Sequence, residues 1–144
     1  MNILTNLIII CTVIITLTSC SSEPVFVKAE ELCNNEYKNK EVITEGVLVV
    51  PSSFYTMGST VTLMLEASNN VKVPSIVFLN YNKKKEKKNM IDPLTDDFTE
   101  EDIKIYDNDG NLVNLGEKVR ITGELTGGSS AYCELWVHKL EKVK

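Results

Sequence analysis

The thiols are the groups in this 144-residue sequence whose placement first suggests covalent chemistry, and the four of them differ in context. Cys11 lies inside an apolar run, Cys20 closes that run, and Cys33 and Cys133 sit far apart in the polar remainder. A thiol acts as a nucleophile only as thiolate, which needs a base or cation beside it. The one histidine, His138, is the only imidazole available, and no spacing brings it to a thiol. It also has no companion Cys, His or carboxylate at metal-ligand spacing. No Ser-His-Asp order, paired-carboxylate motif or phosphate-cradling glycine loop is visible. The segment Asp107-Asn108-Asp109-Gly110-Asn111 offers oxygens to a hard cation. However, with Gly110 at the sharp turn of a calcium loop, Ile105 and Gly116 would occupy ligand positions that need side-chain oxygens. A tight turn tolerating positive φ is the simpler reading. The expectation is a non-catalytic chain with no metal and no cofactor.

The N-terminal stretch says where such a chain would go. Residues 1–19 carry no Asp, Glu, Lys, Arg or His, and Leu7 to Leu17 is apolar except for Cys11, Thr12 and Thr16. That run is shorter than the roughly 20 residues a bilayer-spanning helix needs and suits the apolar core of a secretory signal. It ends in Leu17-Thr18-Ser19-Cys20, which resembles the lipobox of bacterial lipoproteins: an apolar residue, two small residues, then the cysteine that takes the lipid. The resemblance implies a signal peptide over 1–19, lipidation at Cys20, a tether over 20–24 and one domain over 25–144. The start lacks the usual Lys or Arg, and a short membrane anchor is the alternative. Two or three acyl chains on one cysteine give stable attachment. The expected location is the surface of a membrane in the cell envelope. Ser21, which is not acidic, points to the outer membrane where there are two.

The mature part would hold about 125 residues, enough for one core. It carries all 15 basic and 20 acidic residues, a net charge of −5, which disfavours nonspecific attraction to nucleic acid or anionic lipid. An oxidising compartment favours pairing Cys33 with Cys133. Closing a loop of about 100 residues is worth roughly 4–5 kcal/mol by chain entropy. Two separate buried thiols are the alternative.

Periodicity supplies the elements. Val25 to Tyr37 reads as a short helix with Val25, Ala29, Leu32, Cys33 and Glu36 near one face. From Lys40 the period changes to two. Val42, Thr44, Gly46, Leu48 and Val50 alternate with Ile43, Glu45, Val47 and Val49, a strand apolar on both faces. Further strands are expected over 59–66, 71–81, 103–106, 117–125 and 131–143. Pro74 marks an edge or bulge in the third of these main strands. Asn82 to Glu101 reads as a charged excursion with a helical turn. Aligning Val42 with Val119 also superposes Gly46 on Gly123 and Leu48 on Leu125, as if two strands shared one glycine bend.

A short helix, about five main strands and a long charged loop after the third predict a mainly β, small OB-like five-stranded barrel. Two stretches carry a family resemblance: Ala29-Glu30-Glu31-Leu32 with Tyr37-Lys38-Asn39-Lys40-Glu41-Val42 and Gly46, and Leu115-Gly116-Glu117-Lys118-Val119-Arg120-Ile121-Thr122-Gly123 leading to the Cys133–Val143 region. They resemble exported bacterial OB-fold domains, including the group named for similarity to tRNA-anticodon-binding domains. The resemblance implies a fold and leaves the ligand open.

Two surfaces are candidates for contact. Tyr132, Trp136 and His138 share one strand face, where rings could stack on a sugar or base, or cap a second small core. Lys83, Lys84, Lys85, Lys87 and Lys88 form a basic run that could meet a polar protein partner. The acidic residues from Asp92 to Asp102 could equally neutralise it within one loop. The expected function is a lipid-anchored envelope binding or protein-interaction module. An oligosaccharide binder is the alternative, and a single-stranded nucleic-acid binder comes third because the chain is acidic.

Overall fold

A computed structural model describes residues 23–52, 56–57, 60–67, 72–79, 86–129 and 132–143. Residues 1–22, over which the signal peptide, Cys20 lipidation and the start of the tether are expected, together with Phe54, Tyr55, Tyr81 and the lysines at 83, 84 and 85, lie outside the described residues. The strands are β1 Val25–Phe26, β2 Glu41–Val49, β3 Thr56–Met57, β4 Thr60–Glu66, β5 Lys72–Leu79, β6 Met90–Ile91, β7 Ile105–Tyr106, β8 Leu112–Val113, β9 Lys118–Ser129 and β10 Tyr132–Lys142.

Alternation closes these into a ring. On β2, Val42, Thr44, Gly46 and Leu48 are buried while Glu41, Ile43, Glu45 and Val47 face outward. On β4 the buried set is Val61, Leu63 and Leu65, and on β9 it includes Val119, Ile121 and Leu125. β2 pairs antiparallel with β9, β9 with β10, β5 with β4, and β4 with the far end of β2. β10 and β5 pair in parallel, which completes a closed five-stranded OB-like barrel.

The glycine echo has a structural meaning. Gly46 lies opposite Val119 and Gly123 opposite Val42 in the β2–β9 register. A Cβ on Gly46 would come within 2.6 Å of Leu65 Cγ and 2.8 Å of the Glu66 carbonyl, and one on Gly123 would overlap the Trp136 carbonyl. Both glycines allow a neighbouring strand to cross close by. Pro74 falls where the β4–β5 register is irregular, between Ser75 opposite Met64 and Lys72 opposite Glu66. A residue without an N–H is tolerated at such a place.

Each end of the barrel is plugged. The helix expected over 25–37 is present as two 3-10 turns, Ala29–Glu31 and Asn35–Tyr37, preceded by β1. The physical reason is pairing: Val25 and Phe26 register against Val42 and Ile43, and the Val27 N–H donates to the Ile43 carbonyl at 2.8 Å. Extended backbone at 25–27 leaves too few residues for a stable α-helix. Leu32 and Ala29 still enter the core, and Cys33 and Tyr37 pack against it, whereas Val25 is exposed. Cys33 is bonded to Cys133 at the start of β10, with their Cα atoms 5.5 Å apart.

The other end is filled by a second sheet, β6 from the charged excursion with β7 and β8 from the segment after it, which buries Ile91, Ile105 and Val113. Asn89 pins this sheet to β10, accepting from the Leu140 N–H at 2.8 Å and donating to Asn108 Oδ1 at 3.1 Å. Asp107, buried in the β7–β8 turn, accepts from the N–H groups of Asp109 at 2.9 Å and Asn111 at 2.8 Å. Its lone pairs organise the turn, and Gly110 supplies the positive φ of 87°.

Candidate functional site

A strand buried on one face presents the alternate residues to solvent, and on the barrel these line up across strands in register. Trp136 stands opposite Val77 on β5 and Glu124 on β9. Val77 in turn faces Thr62 on β4, and Glu124 faces Glu41 on β2. The next row runs Met64, Ser75, Glu134 and Thr126. Trp136 is half-buried, and its indole Nε1 donates to Thr126 Oγ1 at 3.2 Å, which fixes the ring on the sheet. Beside it, Val77 is only 3% exposed although it points out of the barrel.

His138 occupies a bulge. The β9–β10 register steps from Val137–Gly123 to Lys139–Thr122 and leaves His138 unmatched. Its exposed ring sets Nδ1 3.2 Å from Glu41 Oε1. The bulge also shifts the alternation, so that Leu140 returns to the core. The rows around Trp136 therefore combine an aromatic ring, two aliphatic side chains, three hydroxyls and three carboxylates, Glu41, Glu124 and Glu134, with no lysine or arginine among them.

Several described cations outside these rows are engaged in ion pairs. Arg120 donates to Glu45 at 2.7 and 3.0 Å, and Lys118 reaches the same carboxylate at 3.0 Å. The Arg120 and then the Lys118 hydrogen bonds hold Glu45 below the usual carboxylate range. Of the basic run, Lys87 and Lys88 are described. Lys87 meets Tyr106 Oη at 3.0 Å and Asp92 at 2.9 Å, with its ammonium 4.8 Å from the Tyr106 ring centroid. Its pKa is raised, first by Tyr106 and then by Asp92. Lys88 pairs with Glu86 at 3.3 Å. At Lys87, the following acidic segment neutralises the run.

A groove of about 610 Å³ opens on the opposite side of the barrel, lined by Phe26, Lys28, Ala29, Gly46, Ala67 and Lys118 among others. It exists because β1 and β4 share one edge of β2, pairing at 42–43 and at 47–49 and leaving 44–46 paired to β9 alone among the described residues. A smaller cavity of about 230 Å³ lies by Asp92 and Asp102. Asp102 is occupied there as the N-terminal cap partner of Thr99, at 2.8 and 2.9 Å.

Of the residues singled out from sequence, Trp136 and His138 lie on one outer face and Cys33 and Cys133 are joined. Tyr132 begins the same strand, but its side chain lies outside the described part. Sequence reasoning missed Val77, Thr62, Met64 and Thr126 as neighbours of Trp136. Their outward alternation was legible, whereas the register that aligns them was not.

No family model matches this sequence, and no curated protein matches it. Among solved structures, the chain is similar to the crystal structure of a protein described as an aspartyl-tRNA synthetase from Leishmania major Friedlin. The TM-score is 0.50 at 13% sequence identity, and the match covers 90% of this chain and 22% of the other. The chain thus spans about a fifth of that protein's length. At this identity the likeness is one of fold, and it agrees with the barrel described above.

Proposed function

We propose that the mature chain is a non-catalytic binding module of the bacterial cell envelope, anchored by lipid on Cys20. On this reading it takes a protein partner on the outer face of β4, β5 and β10 around Trp136. The observation that carries this reading is the fixed, half-buried indole with apolar Val77 beside it and hydroxyls and carboxylates around it. A large aromatic already held by Thr126 loses little side-chain freedom on binding, the property of an interface anchor. The second and third strands of an OB barrel are, by fold analogy, its habitual binding face. Here those strands are β4 and β5.

An oligosaccharide is the second reading, favoured by the hydroxyls of Thr62, Ser75 and Thr126 and the nearby carboxylates. These suit a polyhydroxylated ligand stacked on a ring. The same carboxylates oppose a phosphate backbone, which places a nucleic acid third.

The test places a photo-crosslinking residue at Thr62 in the lipidated protein and identifies what is captured in the envelope. A specific protein captured by the native chain, and lost with Trp136→Ala, supports the first reading. Glycan fragments bound by the native chain and lost in that variant move the conclusion to the second. Capture indifferent to Trp136 removes this face as the site.

A further inference from the structure

We infer that Val25 and Phe26 form a membrane-docking patch, which lays the β1–β2 side of the barrel on the lipid surface and turns the Trp136 face away from it. The inference rests on the lipid anchor at Cys20 proposed above.

Phe26 is 58% exposed and Val25 48%. They are consecutive apolar residues on the edge strand β1, one on each of its faces, Phe26 on the side of Ile43 and Val25 on the side of Val42, so together they flank the strand's outer edge. Phe26 also borders the groove on the β2 edge. Five residue steps separate Cys20 from Val25, and a fully extended chain covers at most about 18 Å in that distance. A lipid on Cys20 fixes that residue at the headgroup layer, itself roughly 5–8 Å thick per leaflet. The apolar pair therefore cannot move far from a bilayer, and the surface within its reach is lipid.

The patch is part of the barrel. Val25 and Phe26 pair with Val42 and Ile43, and the Val27 N–H is bonded to the Ile43 carbonyl at 2.8 Å. Whatever holds Phe26 also holds the barrel, so the lipid and the patch together limit its rotation. In the ring β2-β9-β10-β5-β4, the β10–β5 junction lies across from β2. Trp136 and Val77 stand at that junction. Docking through β1 thus presents the binding face to the outside.

The charge around the groove selects the kind of contact. Lys28 and Lys118 are offset by Glu30, Glu45 and Glu66, and Lys118 is already bound to Glu45 at 3.0 Å. The attraction is burial of apolar side chains at the interface, without dependence on anionic lipid or low salt.

The chain's one tryptophan makes the test direct. The full chain is expressed with its own signal, labelled with a fatty-acid probe, purified, and reconstituted into phosphatidylcholine vesicles containing brominated lipid. The native protein reports from Trp136. Phe26→Trp in a Trp136→Phe background reports from the patch, and Val25→Trp in the same background provides a second reporter. The expected result is blue-shifted emission at position 26 and at position 25, most of it quenched by brominated lipid and unchanged by salt, with Trp136 unquenched. Quenching of Trp136, or vesicle-bound and labelled protein whose position-26 tryptophan stays unquenched, overturns the docking and leaves the anchor standing. Loss of nothing on Cys20→Ala, with no fatty-acid label on the native chain, overturns the anchor and the docking with it.

Discussion

Thr44 carries a hydroxyl into the barrel interior, fully buried and without a hydrogen-bond partner among the described residues. A buried donor left unsatisfied costs about 1–3 kcal/mol. Thr44→Val keeps the shape and removes the hydroxyl, so it should stabilise the domain by about 1 kcal/mol, read as a higher urea midpoint at unchanged slope. Asp107 is the opposite case, a buried carboxylate that is fully used. Burial pushes its pKa up, but the Asn111 N–H and side-chain amide, with the Asp109 and Gly110 N–H groups, hold it below the ordinary value. A depressed folded-state pKa stabilises the fold above the unfolded carboxylate pKa, near 3.9. That stability is lost as pH falls through the lower folded value. Asp107→Asn should cost about 1–3 kcal/mol at neutral pH. The gap to the native protein should narrow below about pH 4, in urea melts taken across pH.

Between elements, the Cys33–Cys133 bond joins the N-terminal plug to the start of β10 across a sequence separation of 100. Replacing both cysteines by serine should lower stability by about 4–5 kcal/mol. Hydrogen exchange should rise first over 27–37, where two 3-10 turns lie along the barrel end. An unchanged melting midpoint would show that the loop is already closed without the bond. Much of this architecture was legible in the sequence, because β2, β4 and β9 alternate cleanly, as does β10 up to Val137, and a period of two admits few other readings. The plug was not. Val25, Ala29, Leu32 and Cys33 fit a helical face, and only the pairing of β1 with β2 decides for extended backbone. Local pattern cannot foresee a partner 17 residues downstream. The His138 bulge was hidden for the same reason, since one inserted residue changes the inward set after Val137 and is specified by β9. The candidate site was half legible: Trp136 stood out by type, while Val77 and Thr126 became its neighbours only through register.

At the scale of the molecule, charge and fold analogy point in different directions. OB barrels as a class often bind oligonucleotides, yet this chain carries a net −5 and sets Glu41, Glu124 and Glu134 around Trp136. Affinity for single strands depends on cations that displace counterions, with a salt slope of about −0.7 for each phosphate neutralised. Among the described cations, Arg120, Lys118 and Lys87 are bound to Glu45 and Asp92. The native protein should therefore hold oligonucleotides no more tightly than the nonspecific range, about 10⁻⁴–10⁻⁶ M at physiological salt. Replacing Glu41, Glu124 and Glu134 together by lysine should create binding with a salt slope of up to about −2, from three new phosphate contacts. Filter binding of a labelled oligonucleotide across a salt series reads both quantities. If the native chain binds well below micromolar with a steep slope, the carboxylates are not governing this face, and the ordering of partners proposed here reverses. If only the lysine variant binds, the barrel can accept a strand and the native side chains exclude it, as a module facing envelope proteins or glycans requires.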